Sequence, residues 1–142
     1  IMSALYSTKV TATGGRSGRI ASDDGLLELD LAVPAALGGK GGATNPEQLF
    51  AAGYAACFGN AVIHVTRTTH KIADDDVTVV GTVSMAPNAD GGFALSVALD
   101  VAIAGVDQDT AETIVAQAHK VCPYSNAVRG NIDVELSVRA EA

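Results

Sequence analysis

The sequence predicts an α+β domain, and three patterns carry that prediction. Apolar residues alternate with polar ones in six separate stretches, which is typical of strands. Two longer stretches have instead the 3.6-residue apolar period of helices, so the predicted order is βββ–α–ββ–α–β. Runs of strands separated by helices are typical of antiparallel sheets packed on helices. Since 142 residues is the size of one domain, we expect residues 1–142 to form a single domain.

The first third of the chain is predicted to be a three-stranded antiparallel meander. Residues 6–12 alternate as a first strand, and residues 19–22 return as a short second strand after the turn-forming sequence GGRSGR. The sequence DDG at 23–25 forms the next turn, and alternation at 27–33 marks a third strand that Pro34 ends. A glycine-rich loop at 37–43 follows, and because no Gly-Lys-Ser/Thr follows it, a turning connection is favoured over a phosphate-binding loop.

The first long helix is predicted to start at one of two adjacent N-cap residues. Asn45 as N-cap puts Pro46 at the first helical position, whereas Thr44 as N-cap puts Glu47 at the third and forms a capping box. The opposite face of this helix is rich in Ala and Gly, so we expect burial on most sides, against a sheet or a second copy of the chain. Its apolar face contains Phe50, Tyr54, Cys57, Phe58, Ala61 and Val65.

The second half of the chain is predicted to hold a hairpin, a helix and a last strand. Strands at 77–86 and 95–103 flank a turn at 87–92. Pro123 breaks the second helix just after Cys122, and a further helical turn is expected before Gly130. Residues 132–138 alternate cleanly as the last strand. The apolar face of the second helix contains Ala111, Ile114, Val115, Ala118 and Cys122.

Charge and composition exclude some functional classes. The net charge is −7 and the nine basic residues are scattered, which argues against nucleic acid as a partner. Met2 follows Ile1, and we expect Met2 to be the natural start; no basic segment followed by an apolar run indicates a signal peptide. The longest apolar stretch, 49–65, contains Asn60 and His64 and is short for a membrane span, so we expect a cytoplasmic protein without membrane contact.

The two cysteines are the candidate chemical groups, and the residues alone leave their role open. Cys57 and Cys122 both lie on apolar helix faces, where free cysteines often act as small buried hydrophobic residues. His64 lies about 10 Å along the helix from Cys57, too far for a Cys–His dyad. His119 lies three residues before Cys122 in a polar flank and is predicted to be at the surface. Two cysteines and two histidines also offer zinc ligands, but their spacing matches no standard zinc pattern.

Three separated motifs give the chain a clear family resemblance. They are TATGGRSGR at 11–19, GGATNPEQLFAAGYAACF at 41–58 and CPYSNAVRGNIDV at 122–134. With them the sequence resembles the organic hydroperoxide resistance proteins, the Ohr branch of the OsmC/Ohr family, nearly end to end. The resemblance implies an OsmC/Ohr-like fold, with antiparallel sheets wrapping two central helices in an intertwined homodimer.

The resemblance also implies a thiol-dependent peroxidase for alkyl and lipid hydroperoxides, without metal, haem or flavin. Cys57 matches the cysteine that attacks peroxide, and Cys122 matches the one that resolves its sulfenic acid as a disulfide. Arg16 matches the arginine that contacts the thiolate, and Glu47 the carboxylate that orients it; Arg19 is the competing assignment for Arg16. The implied reductant is a dithiol, dihydrolipoamide or a lipoylated protein. A redox sensor without turnover and an inert ligand-binding dimer are the alternatives.

Overall fold

The computed structural model describes residues 3–142, so the expectation about Ile1 and Met2 lies outside the described residues. The predicted order of elements is confirmed, and a short third helix precedes the last strand. The chain forms two compact units divided after Leu49. The single domain expected for the whole chain stays a prediction. The elements are β1 (Val10–Thr13), β2 (Arg19–Ser22), β3 (Glu28–Asp30), α1 (Pro46–Thr66), β4 (Val77–Pro87), β5 (Phe93–Ala104), α2 (Gln108–Val121), α3 (Pro123–Val128) and β6 (Val134–Glu141).

The first unit contains the predicted antiparallel meander, with strands shorter than expected. β2 pairs with β1 on one side and with β3 on the other. Because β2 has only four residues, β1 finds partners only from Val10 to Thr13. The third strand ends at Asp30; beyond it the Leu31 N–H donates to the Gly18 carbonyl oxygen at 2.8 Å, and Leu31 also forms a parallel bridge with Thr44.

Gly18 makes the tight turn between β1 and β2 possible. A side-chain carbon at Gly18 would lie 1.7 Å from the carbonyl oxygen of Thr13, which no larger residue can accommodate. Within this turn, Gly15–Ser17 form a single 3-10 turn. The turn therefore has a fixed shape, and it carries Arg16.

The second unit is a three-stranded sheet in the order β4–β5–β6. β4 and β5 form the predicted antiparallel hairpin, and the Asn88 side chain closes its turn by accepting hydrogen bonds from the N–H groups of Asp90 and Gly92. The expectation of purely antiparallel sheets is wrong for β6, which runs parallel to β5. The physical reason is the crossover through α2 and α3, since a long helical connection can return the chain in the same direction, which a tight turn cannot.

The core of the second unit lies between the sheet and the helices. β5 is the central strand and is the most buried, and α1 approaches the sheet at Gly81, where a side-chain carbon would lie 3.1 Å from the Ala51 carbonyl oxygen. The side of α1 that contains Ala52, Ala56 and Asn60 is exposed in the single chain, so the expected burial on most sides is not present within one chain. The buried core residues are Tyr54, Phe58, Ala61, Val62, Val97, Leu99, Val101, Ile103, Ala111, Ile114, Val115, Ala118, Cys122 and Val128.

α1 is longer than the apolar stretch 49–65, which the sequence predicts to be too short to span a membrane. With 21 residues and a mean hydropathy of 1.4, it is long and apolar enough to cross a membrane by length and composition alone. The core helix of a soluble protein meets the same test. Tyr54, Phe58 and Val62 of α1 are fully buried in the core of the second unit, which explains their apolar character by packing.

Candidate active site

Cys57 is positioned by α1, whose start is capped by Asn45. The Asn45 side-chain oxygen accepts a hydrogen bond of 2.9 Å from the Gln48 N–H, and Pro46 is the first helical residue. Of the two predicted N-caps, Asn45 therefore makes the capping bond. Farther along α1, Cys57 is half-buried, and its neighbour Phe58 is fully buried.

Cys122 is positioned by the corner between α2 and α3. It is the C-cap of α2 and the N-cap of α3, with backbone angles of −62° and 122° that belong to neither helix. Pro123 lacks the N–H that would continue α2 and instead occupies the first position of α3, where that group is not needed. The corner leaves the Cys122 side chain fully buried.

The two sulfur atoms lie in contact, in agreement with the pairing that the resemblance implies. Cys122 Sγ lies 3.6 Å from Cys57 Sγ, and both cysteines are free. A disulfide bond is about 2.05 Å long, so the sulfurs are in contact but not bonded. The arrangement can close a disulfide with a small movement of either side chain.

The surroundings of Cys57 favour its neutral thiol. Burial raises the pKa of Cys57, and this is the largest effect. The backbone N–H of Tyr124 donates a hydrogen bond that lowers the pKa, while the contact with Cys122 raises it further. A reactive thiolate at Cys57 therefore needs a positive charge in addition to these groups.

Arg16 and Glu47 form a two-pronged ion pair in the first unit. Arg16 donates from Nη1 to Oε1 of Glu47 at 2.6 Å and from Nη2 to Oε2 at 3.1 Å. The hydrogen bonds from Arg16 lower the pKa of Glu47, and the same pairing raises the pKa of Arg16. The Glu47 side chain is 18% exposed, so the pair is partly shielded from water. A bidentate pair of this kind holds the guanidinium in one orientation.

Arg19, the competing candidate, has different partners. It donates to Asp30 at 3.0 Å and to Glu28 at 3.3 Å, both exposed side chains on the neighbouring strand β3. Of the two arginines, Arg16 is the one that pairs with Glu47, as the resemblance implies. The functional roles assigned to Arg16, Glu47, Cys57 and Cys122 stay predictions.

The sequence does not predict the polar network that Tyr54, Ser125 and His119 form next to the cysteines. His119 Nδ1 lies 2.8 Å from Ser125 Oγ, and the Tyr54 hydroxyl lies 2.7 Å from the same oxygen. The prediction of a surface His119 is wrong, because its ring is half-buried and packs 6.3 Å from the Phe58 ring. Burial, followed by the nearby Arg129, lowers the pKa of His119. The polar flank misled the prediction, since a corner after Cys122 is needed to bring Ser125 over the histidine.

A small cavity borders Cys57. Its volume is about 200 Å³, and Val121 and Pro123 form part of its apolar wall. Asn60 and His64 are polar residues that also line the cavity. Among residues 3–142, no three His, Cys, Asp or Glu side chains cluster in a way that holds a metal ion. The complete lining is Cys57, Asn60, Ala61, His64, Val121 and Pro123.

The fold and the contacting thiols define an OsmC-like protein, and residues 39–137 match the family model for OsmC-like proteins. The chain is 48% identical to organic hydroperoxide resistance protein OhrB of Bacillus subtilis, over 96% of this chain and 99% of that protein. It is also 48% identical to the organic hydroperoxide resistance protein of Xanthomonas axonopodis, over 94% of each chain. A crystal structure of an organic hydroperoxide resistance protein from Legionella pneumophila superposes with a TM-score of 0.92 at 55% identity, covering 96% of this chain and 99% of that one. The chain belongs to the organic hydroperoxide resistance proteins of the OsmC/Ohr family.

Proposed function

We propose that this protein is a thiol-dependent peroxidase that reduces organic hydroperoxides to alcohols. The observation that carries the proposal is the contact between two free thiols, 3.6 Å apart, in a member of this family. One thiol is half-buried beside a small cavity and the other is fully buried. This difference suits a first cysteine that meets the peroxide and a second that meets only the first.

The proposed cycle balances with the two cysteines and an external dithiol. The Cys57 thiolate attacks the O–O bond of ROOH, which yields Cys57 sulfenic acid and, after protonation of the leaving alkoxide, an alcohol. The Cys122 thiol then displaces the sulfenic oxygen as water and forms the Cys57–Cys122 disulfide. A dithiol reduces this disulfide and becomes oxidised itself. We propose dihydrolipoamide or a lipoylated protein for that role.

We propose that Arg16 supplies the positive charge that the Cys57 thiolate requires. The support is indirect: burial raises the pKa of Cys57, so a thiolate there requires a compensating positive charge. A guanidinium lowers the pKa of a thiol and can also donate hydrogen bonds to peroxide oxygens. Glu47 would hold the guanidinium in orientation through its two hydrogen bonds. In this proposal neither a metal nor an organic cofactor takes part.

The cavity at Cys57 supports the proposed substrate class. Its apolar wall and volume of about 200 Å³ suit a short alkyl chain better than a strongly hydrated hydrogen peroxide molecule. We therefore propose alkyl and lipid hydroperoxides as substrates. We further propose a cytoplasmic homodimer, because the exposed side of α1 carries small residues such as Ala52 and Ala56 that a second chain can pack against.

The test is sustained turnover. Consumption of an alkyl hydroperoxide is measured with dihydrolipoamide in excess, for the unmutated protein and for Cys57→Ser. The proposal expects many turnovers per chain and a loss of turnover in Cys57→Ser. One turnover followed by a stop would favour the redox sensor instead, and equal consumption by Cys57→Ser would rule out Cys57 as the attacking group.

A further inference from the structure

A chain of three hydrogen-bonded side chains joins the helices that carry the two cysteines. Tyr54 lies in α1, His119 in α2 and Ser125 in α3, and the Ser125 hydroxyl contacts both other groups, at 2.7 Å and 2.8 Å. Tyr54 and Ser125 are fully buried. The network is therefore an internal connection between α1 and the corner formed by α2 and α3.

Each member of the network lies three residues from one of the two cysteines in the sequence. Tyr54 lies three residues before Cys57, His119 three residues before Cys122, and Ser125 three residues after Cys122. Three residues is nearly one helical turn, so each member stacks on the turn next to a cysteine. The hydrogen bonds thus span the same two segments whose sulfurs lie 3.6 Å apart.

The hydrogen bonds of the network depend on all three of its side chains. A serine hydroxyl has one hydrogen, so Ser125 donates to one partner and accepts from the other. With a neutral imidazole, Tyr54 donates to Ser125 and Ser125 donates to His119 Nδ1, which uses both hydroxyl hydrogens. No buried side-chain nitrogen or oxygen among residues 3–142 lacks a partner, so removal of one member leaves a buried polar group unsatisfied.

We propose that Tyr54, Ser125 and His119 are positioning residues that hold the Cys122 sulfur against the Cys57 sulfur for disulfide formation. This inference rests on the proposed function. The step it concerns joins Cys57 sulfenic acid and the Cys122 thiol, forms the S–S bond, breaks the S–O bond and releases water. The network does not touch the O–O bond of the peroxide, so it acts on the second step and not on the first.

A positioning role makes a prediction that a general structural role does not. Misplacing a reacting group by about 1 Å can slow a step by about 100-fold. Loss of the network is therefore expected to lengthen the lifetime of Cys57 sulfenic acid while the peroxide step keeps its rate. Sulfenic acid that persists in excess peroxide is oxidised to sulfinic acid, with a second peroxide reduced to alcohol.

The experiment measures both steps in Ser125→Ala, Tyr54→Phe and the unmutated protein. Single-turnover peroxide consumption reports the first step, and intact mass after rapid quenching reports sulfenic acid and disulfide. We expect peroxide consumption within about twofold of the unmutated rate and disulfide formation slowed by about tenfold or more. His119→Asn keeps a hydrogen-bonding group near the position of Nδ1 and is expected to restore disulfide formation that His119→Ala loses.

Thr66→Val is the matched control. Thr66 has a buried hydroxyl on the same helix as Tyr54, and among the described residues this hydroxyl donates to the backbone oxygens of Val62 and Ile63. Both rates are expected to stay at the unmutated level in this variant. Unmutated rates of disulfide formation in folded Tyr54→Phe and His119→Ala would overturn the inference, as would equal slowing of both steps. If the unmutated protein itself forms no disulfide, the proposed function fails before the network is tested.

Discussion

Cys122 Sγ lies 3.6 Å from Cys57 Sγ, although 65 residues separate the two cysteines in sequence. The contact is longer than a disulfide by about 1.5 Å. A half-buried cysteine on α1 and a fully buried one at a helix corner thus form a reduced pair that is ready to close.

Replacement of Cys122 is expected to separate the two chemical steps. In Cys122→Ala the first peroxide molecule is still reduced, because Cys57 keeps its cavity and its hydrogen bond from Tyr124. The oxidised product is then a sulfenic acid that gains oxygen in excess peroxide, since no second thiol is in contact. Intact mass after one and after ten equivalents of peroxide measures this. Failure of Cys122→Ala to reduce even one equivalent would contradict the assigned order of the cysteines.

Replacement of Arg16 is expected to raise the pKa of the Cys57 thiol. With Arg16→Gln in a Cys122→Ala background, we expect the pKa of Cys57 to rise, because the variant removes the positive charge that the proposal assigns to the thiolate. The rate of alkylation as a function of pH measures the shift. Arg19→Gln is the matched control, because Arg19 pairs with the exposed side chains of Glu28 and Asp30. An equal shift in both variants would show that overall charge, and not Arg16, sets the pKa.

His119 is expected to make stability depend on pH below neutrality. Burial lowers its pKa in the folded protein, so at a given pH near the ordinary value of about 6.5 the unfolded chain binds more protons at this site. The contribution of His119 to the free energy of unfolding is therefore complete above pH 6.5 and falls as the pH is lowered toward the folded pKa. Urea unfolding at several pH values measures this slope. It should be steeper than in His119→Asn, and parallel slopes in the two proteins would contradict a buried neutral histidine.

The turn at Gly18 is expected to reject any side chain. Gly18→Ala would put its Cβ 1.7 Å from the Thr13 carbonyl oxygen, so the turn that carries Arg16 must open. We expect a lower melting temperature and slower peroxide reduction. Gly92→Ala is the control, because its Cβ would meet the Asn88 side chain at an ordinary 3.5 Å. An equal loss of melting temperature and peroxide reduction in both variants would contradict a specific role for the close approach at Gly18.

Local patterns predicted most of the fold, because they depend on neighbours in sequence. The alternation along β5, the cap at Asn45 and the break at Pro123 each follow from a few adjacent residues. The parallel pairing of β6 depends on the path of the α2–α3 crossover, which alternation does not encode. The bridge from Leu31 to Thr44, just beyond the end of β3, is likewise a contact between distant residues that alternation does not encode.

The sequence identified the two cysteines of the candidate site. It did not predict the half-buried His119 that lies beside them. Apolar faces placed Cys57 and Cys122 on helices, but only the three-dimensional fold distinguishes Arg16, which pairs with Glu47, from Arg19, which does not. His119 was assigned to the surface because its sequence neighbours are polar. Its burial results from Ser125, which reaches it only after the chain turns at the corner.

Intact mass after one equivalent of an alkyl hydroperoxide tests the central claim most directly. The fully reduced protein is mixed with peroxide, quenched and weighed beside Cys57→Ser. We expect the protein to lose the mass of two hydrogen atoms, as a Cys57–Cys122 disulfide forms, while Cys57→Ser keeps its mass. An unchanged mass in the unmutated protein, with the peroxide still present, would contradict this claim.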